Sequence, residues 1–354
     1  MVGKKKPILS LGLLLVVSSA FVVCVPGPRA WGEKVYWTNA TDMTIERADI
    51  DGSNVEVVVT ITDRPGAMAV DRAGGKMYWV CDDTPKIQRA NLDGSGVEDL
   101  VTTGLVYPGE IALDLVGGKM YWTDQAAGKI QRANLDGTGM EDIVASGLSR
   151  PLGIAVDGEG GQKVYWTDWT ERRIQRANLD GSGVEVLVTV DVGKGSGMAL
   201  DLVHGKMYWT TPAYIRRANL DGSAAEIVVG GTIVLEALSI DLDVGSDKLY
   251  WTRSVSGNIH INRHNLDGSD DTVLLTTSGR TSGMRLLLRP GDADRDGDVD
   301  INDYVVFTDC LSGPNVTPTP EQTTLEQCWC VFDFDSDLDV DSSDYAAFSK
   351  AFTH

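Results

Sequence analysis

The sequence is poor in the residues on which metal chemistry and disulfide scaffolds depend, with four histidines and five cysteines among 354 residues. Basic residues are scarce as well: 31 Lys and Arg stand against 51 Asp and Glu, which gives a net charge of −20. Nucleic-acid binding generally needs a basic patch that neutralises phosphates, so this balance argues against such a partner. With 42% apolar and 23% charged residues, the composition is nevertheless that of a globular protein.

Long apolar runs are missing except at the start of the chain. Lys4, Lys5 and Lys6 precede an apolar stretch over residues 8–25, which is the order of a secretory signal peptide. Cleavage could follow Ala20 or Ala30, and an uncleaved stretch of this length would serve as a membrane anchor. The sequence therefore predicts a signal peptide over 1–30 and an exported, secreted or envelope-associated remainder with no second membrane span.

One dipeptide, Tyr-Trp, recurs through residues 31–290 at intervals of 42 to 44 residues. Its six copies are Tyr36-Trp37, Tyr78-Trp79, Tyr121-Trp122, Tyr165-Trp166, Tyr208-Trp209 and Tyr250-Trp251. Each copy has Lys two residues before the Tyr, then Ile-x-Arg, then Asn-Leu-Asp-Gly or a close variant. Each unit reads as four short strands separated by Gly and Asp turns, the pattern of a propeller blade. We therefore predict an all-β, six-bladed propeller.

The two ends of the repeat region predict how the ring closes. The first copy begins directly at Lys34 and lacks the strand that precedes Tyr-Trp in the other copies. A surplus strand at 283–288 follows the last copy and has no Tyr-Trp after it. We expect this strand to complete the first blade, which would remove a free sheet edge.

These motifs resemble the class B, or YWTD, repeats of the low-density lipoprotein receptor family. The full Tyr-Trp-Thr-Asp stands at 121–124 and 165–168, whereas the other copies end in Asn39, Cys81, Thr211 and Arg253. The resemblance implies a six-bladed propeller that binds protein ligands outside the cell and has no catalytic activity. The replaced residues lead us to expect weaker hydrogen bonding between blades at blades two, five and six.

The repeated Tyr, Trp and Ile are interpreted as packing residues, and the repeated Arg as the partner of a neighbouring Asp. Function is then expected where the copies differ, in the loops that precede the inner strands. These loops should surround one mouth of the central channel with a partner-binding set: Arg64, Tyr107, Arg150, Lys194 and Arg280. Trp169 interrupts the repeat and is a candidate exposed anchor. The alternative interpretation is an ordinary solvated rim.

Residues 291–354 carry 15 acidic and 2 basic residues, about two thirds of the excess negative charge. Their carboxylates recur at the spacing of calcium-binding loops. The first loop offers Asp292, Asp294, Asp296, Asp298 and Asp303, and the second offers Asp333, Asp335, Asp337, Asp339 and Asp344. Gly297 allows the sharp turn in the first loop, whereas Leu338 stands there in the second. We therefore expect two Ca²⁺ sites, the second weaker.

Each loop is followed by Tyr and a short apolar helix, and the loops start 41 residues apart. This arrangement resembles a dockerin, a small α-helical calcium module that docks onto cohesin domains. The resemblance implies a cohesin-like or envelope partner, chosen by the residues at loop positions ten and eleven: Ile301, Asn302, Ser342 and Ser343. In this tail, Cys310 could pair with Cys328 or with Cys330, and Cys81 is expected to be a partly buried, unpaired thiol.

Catalytic signatures are also missing, since no His-Glu-x-x-His, nucleophile elbow or phosphate-binding loop occurs. His260 and His264 lie on one predicted strand, where four residues span about 13 Å, too far to share a metal. Glu110 and Glu236, the acids nearest the mouth, are interpreted as surface charges. The sequence thus favours a secreted, non-enzymatic binding protein whose propeller presents a protein or glycan recognition face and whose tail anchors it. The alternatives are a propeller lyase or hydrolase acting on extracellular polysaccharide, and a structural spacer without a ligand.

Overall fold

The computed structural model describes residues 33–158, 160–189, 197–230 and 237–288. In this part of the chain the secondary structure consists of twenty-four strands and one 3-10 turn at Val244–Ser246. The predicted signal peptide and the predicted calcium module lie outside the described residues.

The strands are short, with four to eight residues each. In chain order they are β1 (Lys34–Asn39), β2 (Thr44–Asp49), β3 (Glu56–Thr60), β4 (Pro65–Asp71), β5 (Lys76–Cys81), β6 (Lys86–Asn91), β7 (Glu98–Val101), β8 (Pro108–Asp114), β9 (Lys119–Asp124), β10 (Lys129–Asn134), β11 (Glu141–Val144), β12 (Pro151–Asp157), β13 (Lys163–Asp168), β14 (Arg173–Asn178), β15 (Glu185–Thr189), β16 (Met198–Asp201), β17 (Lys206–Thr210), β18 (Tyr214–Asn219), β19 (Glu226–Gly230), β20 (Ala237–Asp243), β21 (Lys248–Val255), β22 (Asn258–Asn265), β23 (Thr272–Ser278) and β24 (Met284–Leu287).

These strands form six antiparallel sheets of four strands, which are the blades. Blade one has the order β24-β1-β2-β3, and blades two to six each take the next four strands in sequence. The inner strands β4, β8, β12, β16, β20 and β24 contact one another in cyclic order, so the blades close into a ring around a central channel. The predicted six-bladed propeller is confirmed.

Ring closure follows the predicted route through blade one. Strand β24 pairs with β1 in antiparallel register, with Met284 opposite Trp37 and Leu287 opposite Lys34. Because these two strands come from opposite ends of the described chain, their pairing ties the ring together and leaves β1 no free edge.

The hydrophobic core lies between neighbouring blades. Trp122 and Ile111 of blade three, for example, pack with Tyr78 and Val80 of blade two, and all four side chains are almost completely buried. All six Tyr-Trp pairs are buried in the same way. The aromatic repeat therefore supplies large apolar surfaces to the faces between blades, as predicted.

Tight spacing around the channel explains the small residues of the inner strands. A Cβ atom at Gly197 would lie 2.9 Å from the Ser239 Cα, and one at Gly283 would lie 2.6 Å from the Met68 nitrogen. Glycine is therefore required where one inner strand approaches the next this closely.

The repeated Arg joins each of blades one to five to the next blade at the rim. Arg89 donates from Nε to Glu98 at 2.8 Å and from Nη1 to the carbonyl of Leu135, in blade three, at 2.9 Å. The same pair of contacts recurs at Arg47, Arg132, Arg176 and Arg217. The prediction of an Asp partner was wrong: the partner is the Glu that starts the outer strand, because that residue lies opposite the Arg in the sheet.

Candidate functional site

The last residue of the Tyr-Trp-Thr-Asp motif holds the loop that leads into the inner strand of the same blade. The fully buried Asp124 accepts hydrogen bonds from the N–H groups of Val106 at 2.7 Å, Tyr107 at 3.0 Å and Ala127 at 3.0 Å. Asp168 accepts equivalent bonds from Ser149, Arg150 and Glu171 at 2.9, 3.1 and 3.3 Å. The motif carboxylates therefore fix the backbone of two predicted mouth residues, Tyr107 and Arg150.

Blade two obtains a similar contact from another residue. Cys81 replaces the motif Asp and donates from Sγ to Gln88 at 3.2 Å. The carboxylate comes instead from Asp63, the residue before Arg64. Asp63 accepts the Thr84 N–H at 3.1 Å. Cys81 is fully rather than partly buried, and burial raises its pKa to about 12, so the thiol stays protonated.

The motif Thr connects adjacent blades. The hydroxyls of Thr38 and Thr123 donate to the carbonyls of Gly66 and Leu152 in the following blade, at 2.8 and 2.7 Å. Thr210 of blade five accepts the Gly197 N–H at 2.9 Å, and Thr252 of blade six accepts the Ser239 N–H at 3.3 Å. Both of these bonds lie within a single blade, so the expected weaker hydrogen bonding between blades at blades five and six stays a prediction, whereas in blade two Val80 has no hydroxyl to donate.

The variable loops meet around one cavity of about 1030 Å³, here called the mouth cavity. It lies where the loops before the inner strands meet the loops between the second and third strands of the blades. Five predicted mouth residues line it: Arg64, Tyr107, Arg150, Trp169 and Arg280. Lys194, Glu236, Ile301, Asn302, Ser342 and Ser343 and the ten calcium-loop aspartates lie outside the described residues.

Trp169 differs from its predicted role as an exposed anchor. Its side chain is half-buried, and the Arg150 guanidinium lies 4.6 Å from the ring centroid in a cation–π contact. The backbone brings the two together, because the Trp169 N–H donates to the Arg150 carbonyl at 3.0 Å. Tyr107, with 38% of its surface exposed, is the more accessible aromatic residue.

Below the mouth cavity the channel narrows to a chamber of about 130 Å³, here called the lower cavity. The two cavities are adjacent, since both are lined by Tyr107, Gln125, Leu152, Leu238 and Ser282. The wall of the lower cavity includes the backbone of Gly66, Gly109, Gly153 and Gly197, together with the carboxylates of Asp82 and Glu110.

A buried ion pair closes the floor of the lower cavity. Arg285 of β24 donates from Nη2 to the Glu110 Oε1 at 2.9 Å, and the other oxygen of Glu110 accepts the Ile154 N–H at 3.0 Å. Burial raises the pKa of Glu110, an effect that the Arg285 charge opposes. Glu110 is therefore not the predicted surface charge, because its strand directs it into the channel.

Arg285 also marks the start of a separate cavity on the far side of the floor. This space, of about 300 Å³, is lined by Arg285, Asp241 and mostly apolar inner-strand residues, and shares no lining residue with the mouth cavity. Asp241 accepts the Leu286 N–H at 2.8 Å. Among the described residues, the Arg285–Glu110 pair thus lies between this space and the two cavities on the mouth side.

The channel residues Glu110, Asp241 and Arg285 were missed as a group. The available signal is that each interrupts a position which is Ala or Gly in most of the other inner strands. Small residues on several inner strands leave space in the channel, and a long side chain on another inner strand can extend across that space.

Other candidate chemistry is sparse in the described part of the chain. No group of three or more His, Cys, Asp and Glu side chains there could hold a metal ion. His260 and His264 both lie on β22, as predicted, and contact different residues, Thr276 and Asp271. Among the described residues, no helix is long and apolar enough to cross a membrane.

The low-density lipoprotein receptor repeat class B model matches residues 118–157 and 162–202. No curated protein is similar in sequence to the chain. Among solved structures, the chain is similar to that of a nidogen/laminin complex, with 22% identity, a TM-score of 0.64 and coverage of 73% of this chain and 99% of the other.

TolB from Acinetobacter baumannii is similar at 14% identity and a TM-score of 0.60, over 73% of this chain and 67% of the other. A putative TolB from Agrobacterium tumefaciens is similar at 13% identity and a TM-score of 0.55, over 72% and 98%. These likenesses agree with the fold seen here. The chain thus carries low-density lipoprotein receptor class B repeats, and its described residues form a six-bladed β-propeller.

Proposed function

We propose that this protein is an exported, non-enzymatic binding protein whose mouth cavity recognises a protein ligand. The observation that carries the proposal is the convergence of Arg64, Tyr107, Arg150, Trp169 and Arg280 on one cavity. Arg, Tyr and Trp are the residues that most often dominate binding energy at protein interfaces. Two of their loops are held by the buried motif carboxylates, which gives the surface a fixed shape before binding.

The two ends of the described propeller lie away from this face. The end of β1 and the residues before β24 border the mouth cavity, whereas Lys34 and Leu287 pair at the opposite end of the channel. The described chain therefore enters and leaves the propeller on the face away from the mouth. The related propeller fold of nidogen was solved in a complex with laminin, which supports protein as the ligand class.

The second part of the proposal concerns the tail. Residues 291–354 bind two Ca²⁺ ions and attach the propeller to a cohesin-like or envelope partner. The support is the spacing of the carboxylates in two loops. Without the ion these carboxylates repel one another, so calcium would control the attachment.

The alternative of a propeller lyase or hydrolase would need acids or histidines that are available in the channel. The described carboxylates there are Asp82, Glu110 and Asp241. Asp82 lies 3.4 Å from Arg64, and Glu110 and Asp241 are engaged by Arg285 and by backbone N–H groups. The described channel thus supports binding better than acid–base chemistry, and class B repeat propellers are typically non-enzymatic binding domains.

The mouth is tested with the full-length protein and a Tyr107→Ala variant. Each is cross-linked in the extracellular proteins of the source organism, the captured protein is identified, and its purified form is titrated by calorimetry. We expect the parent to bind and Tyr107→Ala to lose at least tenfold in affinity, a change of about 1.4 kcal/mol. Val186→Asp, a change on an exposed outer strand, should bind like the parent. Equal binding by all three proteins would refute a ligand at the mouth.

The tail is tested by calcium titration of the full-length protein. The parent should bind two ions, and Asp292→Ala with Asp296→Ala should leave only the weaker site. Unchanged stoichiometry in that double variant would refute the loop assignment. Envelope attachment should be lost in chelator, whereas binding at the mouth should not depend on calcium.

A further inference from the structure

The mouth cavity has the opposite charge to the rest of the protein. The chain carries a net charge of −20, yet the described residues lining the mouth cavity include Arg64, Arg150 and Arg280 and no carboxylate. The nearest lining acids, Asp82 and Glu110, belong to the lower cavity. A positively charged cavity on a negatively charged protein attracts anions to the cavity, while the rest of the surface repels them.

These three guanidinium groups are only partly neutralised by the described protein. Arg64 lies 3.4 Å from Asp82, which is largely buried. Arg150 rests on Trp169, and Arg280 is exposed. Among the described residues, no carboxylate forms an ion pair with Arg150 or Arg280. Two cations that share one concave surface without a counter-charge favour an anionic ligand.

The lower cavity sets a second requirement. Its volume of about 130 Å³ is close to that of a cavity that holds one benzene molecule, roughly 150 Å³, so it can admit a single side chain. Its two carboxylates, Asp82 and Glu110, already have Arg partners. An acidic side chain would be repelled there, whereas a neutral one would fit.

We infer that the ligand of the mouth cavity is an acidic peptide segment of another protein. Its carboxylates contact Arg64, Arg150 and Arg280, and one neutral side chain next to them enters the lower cavity. This inference rests on the proposed binding function of the mouth and adds the chemistry of the ligand to it.

Two other anionic ligands fit the structure less well. An acidic polysaccharide would stack its rings on open aromatic faces, but of the two aromatic residues described in the mouth cavity Tyr107 alone offers one, because Arg150 covers a face of Trp169. Residues 291–354 lie outside the described chain, which ends at residue 288 on the side away from the mouth cavity, and this favours another protein as the source of the peptide. A peptide of an external protein meets both requirements, since it can present carboxylates and one neutral side chain together.

The probes are three labelled mixtures of random octapeptides, each containing two Asp, two Asn or two Lys at the same positions, together with polygalacturonate. Binding to the full-length protein is followed by fluorescence anisotropy. We expect the Asp mixture to bind at least tenfold more tightly than the Asn mixture and the Lys mixture not to bind. Binding of the Asp mixture should weaken as sodium chloride is raised.

Two variants of equal net charge separate the site from general charge effects. Arg64→Gln, Arg150→Gln and Arg280→Gln together remove the mouth cations and should weaken the Asp mixture at least tenfold. Val57→Asp, Val186→Asp and Val273→Asp lower the net charge by the same amount on exposed outer strands, where blades two and three already carry Asp99 and Asp142. This second variant should bind like the parent.

The inference is wrong if the Asn or Lys mixture binds as tightly as the Asp mixture, or if both variants lose affinity equally. It is also wrong if polygalacturonate binds at the mouth while no peptide mixture does. Self-association of the full-length protein that the Arg→Gln variant abolishes would identify the chain's own tail as the occupant and overturn an external ligand.

If Tyr107→Ala abolishes binding of a neutral or basic mixture, the ligand chemistry is wrong and the mouth function stands. If Tyr107→Ala changes the binding of no probe and no captured protein, both fail.

Discussion

Blades three and four carry the complete Tyr-Trp-Thr-Asp motif, and blade two carries Tyr-Trp-Val-Cys, yet all three form the same four-stranded sheet. In blades three and four, Asp124 and Asp168 each accept three backbone N–H groups. In blade two the carboxylate belongs to Asp63, on the loop itself, and accepts the equivalent Thr84 N–H. In these three blades an acceptor occupies the same place, and the chain supplies it from either side of the loop.

The difference between complete and replaced motifs also explains why the repeat model matches only part of the chain. The class B repeat model matches 118–157 and 162–202, the two stretches that start just before the complete motifs. The other blades retain the geometry through different residues, such as Asn39 in blade one, which accepts the N–H groups of Thr41 and Asp42. The structure therefore identifies repeat copies in the blades whose motif is not intact, which the sequence model does not match.

The largest effect is expected at blade one, the only described blade assembled from distant parts of the chain. Deleting residues 283–288 removes β24, exposes the edge of β1 and uncovers the side of Trp37 that packs with Met284. We expect loss of cooperative unfolding, measured by thermal melting with circular dichroism. Arg280→Gln, in the exposed loop just before this strand, should melt like the parent. A truncated protein that melts at the temperature of the parent would contradict closure through β24.

Smaller losses should separate blade three from blade two. Asp124→Ala leaves three N–H groups without their acceptor in a buried site and should cost about 3 kcal/mol of unfolding free energy. Asp63→Ala removes one such bond and should cost about 1–2 kcal/mol. Cys81→Ala, at the motif position itself, should cost no more than Asp63→Ala, because the thiol makes only a weak bond to Gln88.

These three variants are compared by urea denaturation of the full-length protein. Asp124→Ala should in addition weaken ligand binding, since it releases the loop that carries Tyr107, whereas Cys81→Ala should leave binding unchanged. If Cys81→Ala and Asp124→Ala cost the same, the carboxylate has not moved to Asp63 and the comparison between the blades fails.

The blade number, the strand pattern and the closing strand were predictable because they depend on periodicity and on turns whose chemistry is local. Gly94 illustrates this, since its φ of +84° and a Cβ that would lie 2.1 Å from the Val58 carbonyl both require glycine. The mouth residues Arg64, Tyr107, Arg150 and Arg280 were also predictable, because each precedes the inner strand of its blade, whereas Trp169 was predicted from its break with the repeat. Whether they bind a ligand stays a prediction.

The channel floor was not predictable in the same way. Glu110 lies next to a mouth loop and reads as a surface charge in its local sequence. Its partner Arg285 is 175 residues away and reaches it only after the ring has closed. The role of Asp63 in blade two was not predictable for a related reason. Asp63 replaces the motif carboxylate only because its side of the loop faces the strand, and the sequence does not show this orientation.

The smallest expected effect is a gain, at the one blade whose motif lacks the Thr hydroxyl. Val80 is fully buried and has nearly the shape of Thr, so Val80→Thr places a hydroxyl where Thr38 and Thr123 bond to the following blade. The equivalent acceptor for blade two is the Gly109 carbonyl. Because one buried hydrogen bond contributes about 1 kcal/mol, we expect the free energy of unfolding, measured by urea denaturation, to rise by that amount at most. Thr123→Val, the reverse change in blade three, should lower it by a similar or larger amount, since it leaves the Glu110 N–H without the hydroxyl that accepts it. A loss of stability in Val80→Thr would mean that blade two has repacked around the valine and can no longer use the contact that its neighbours share.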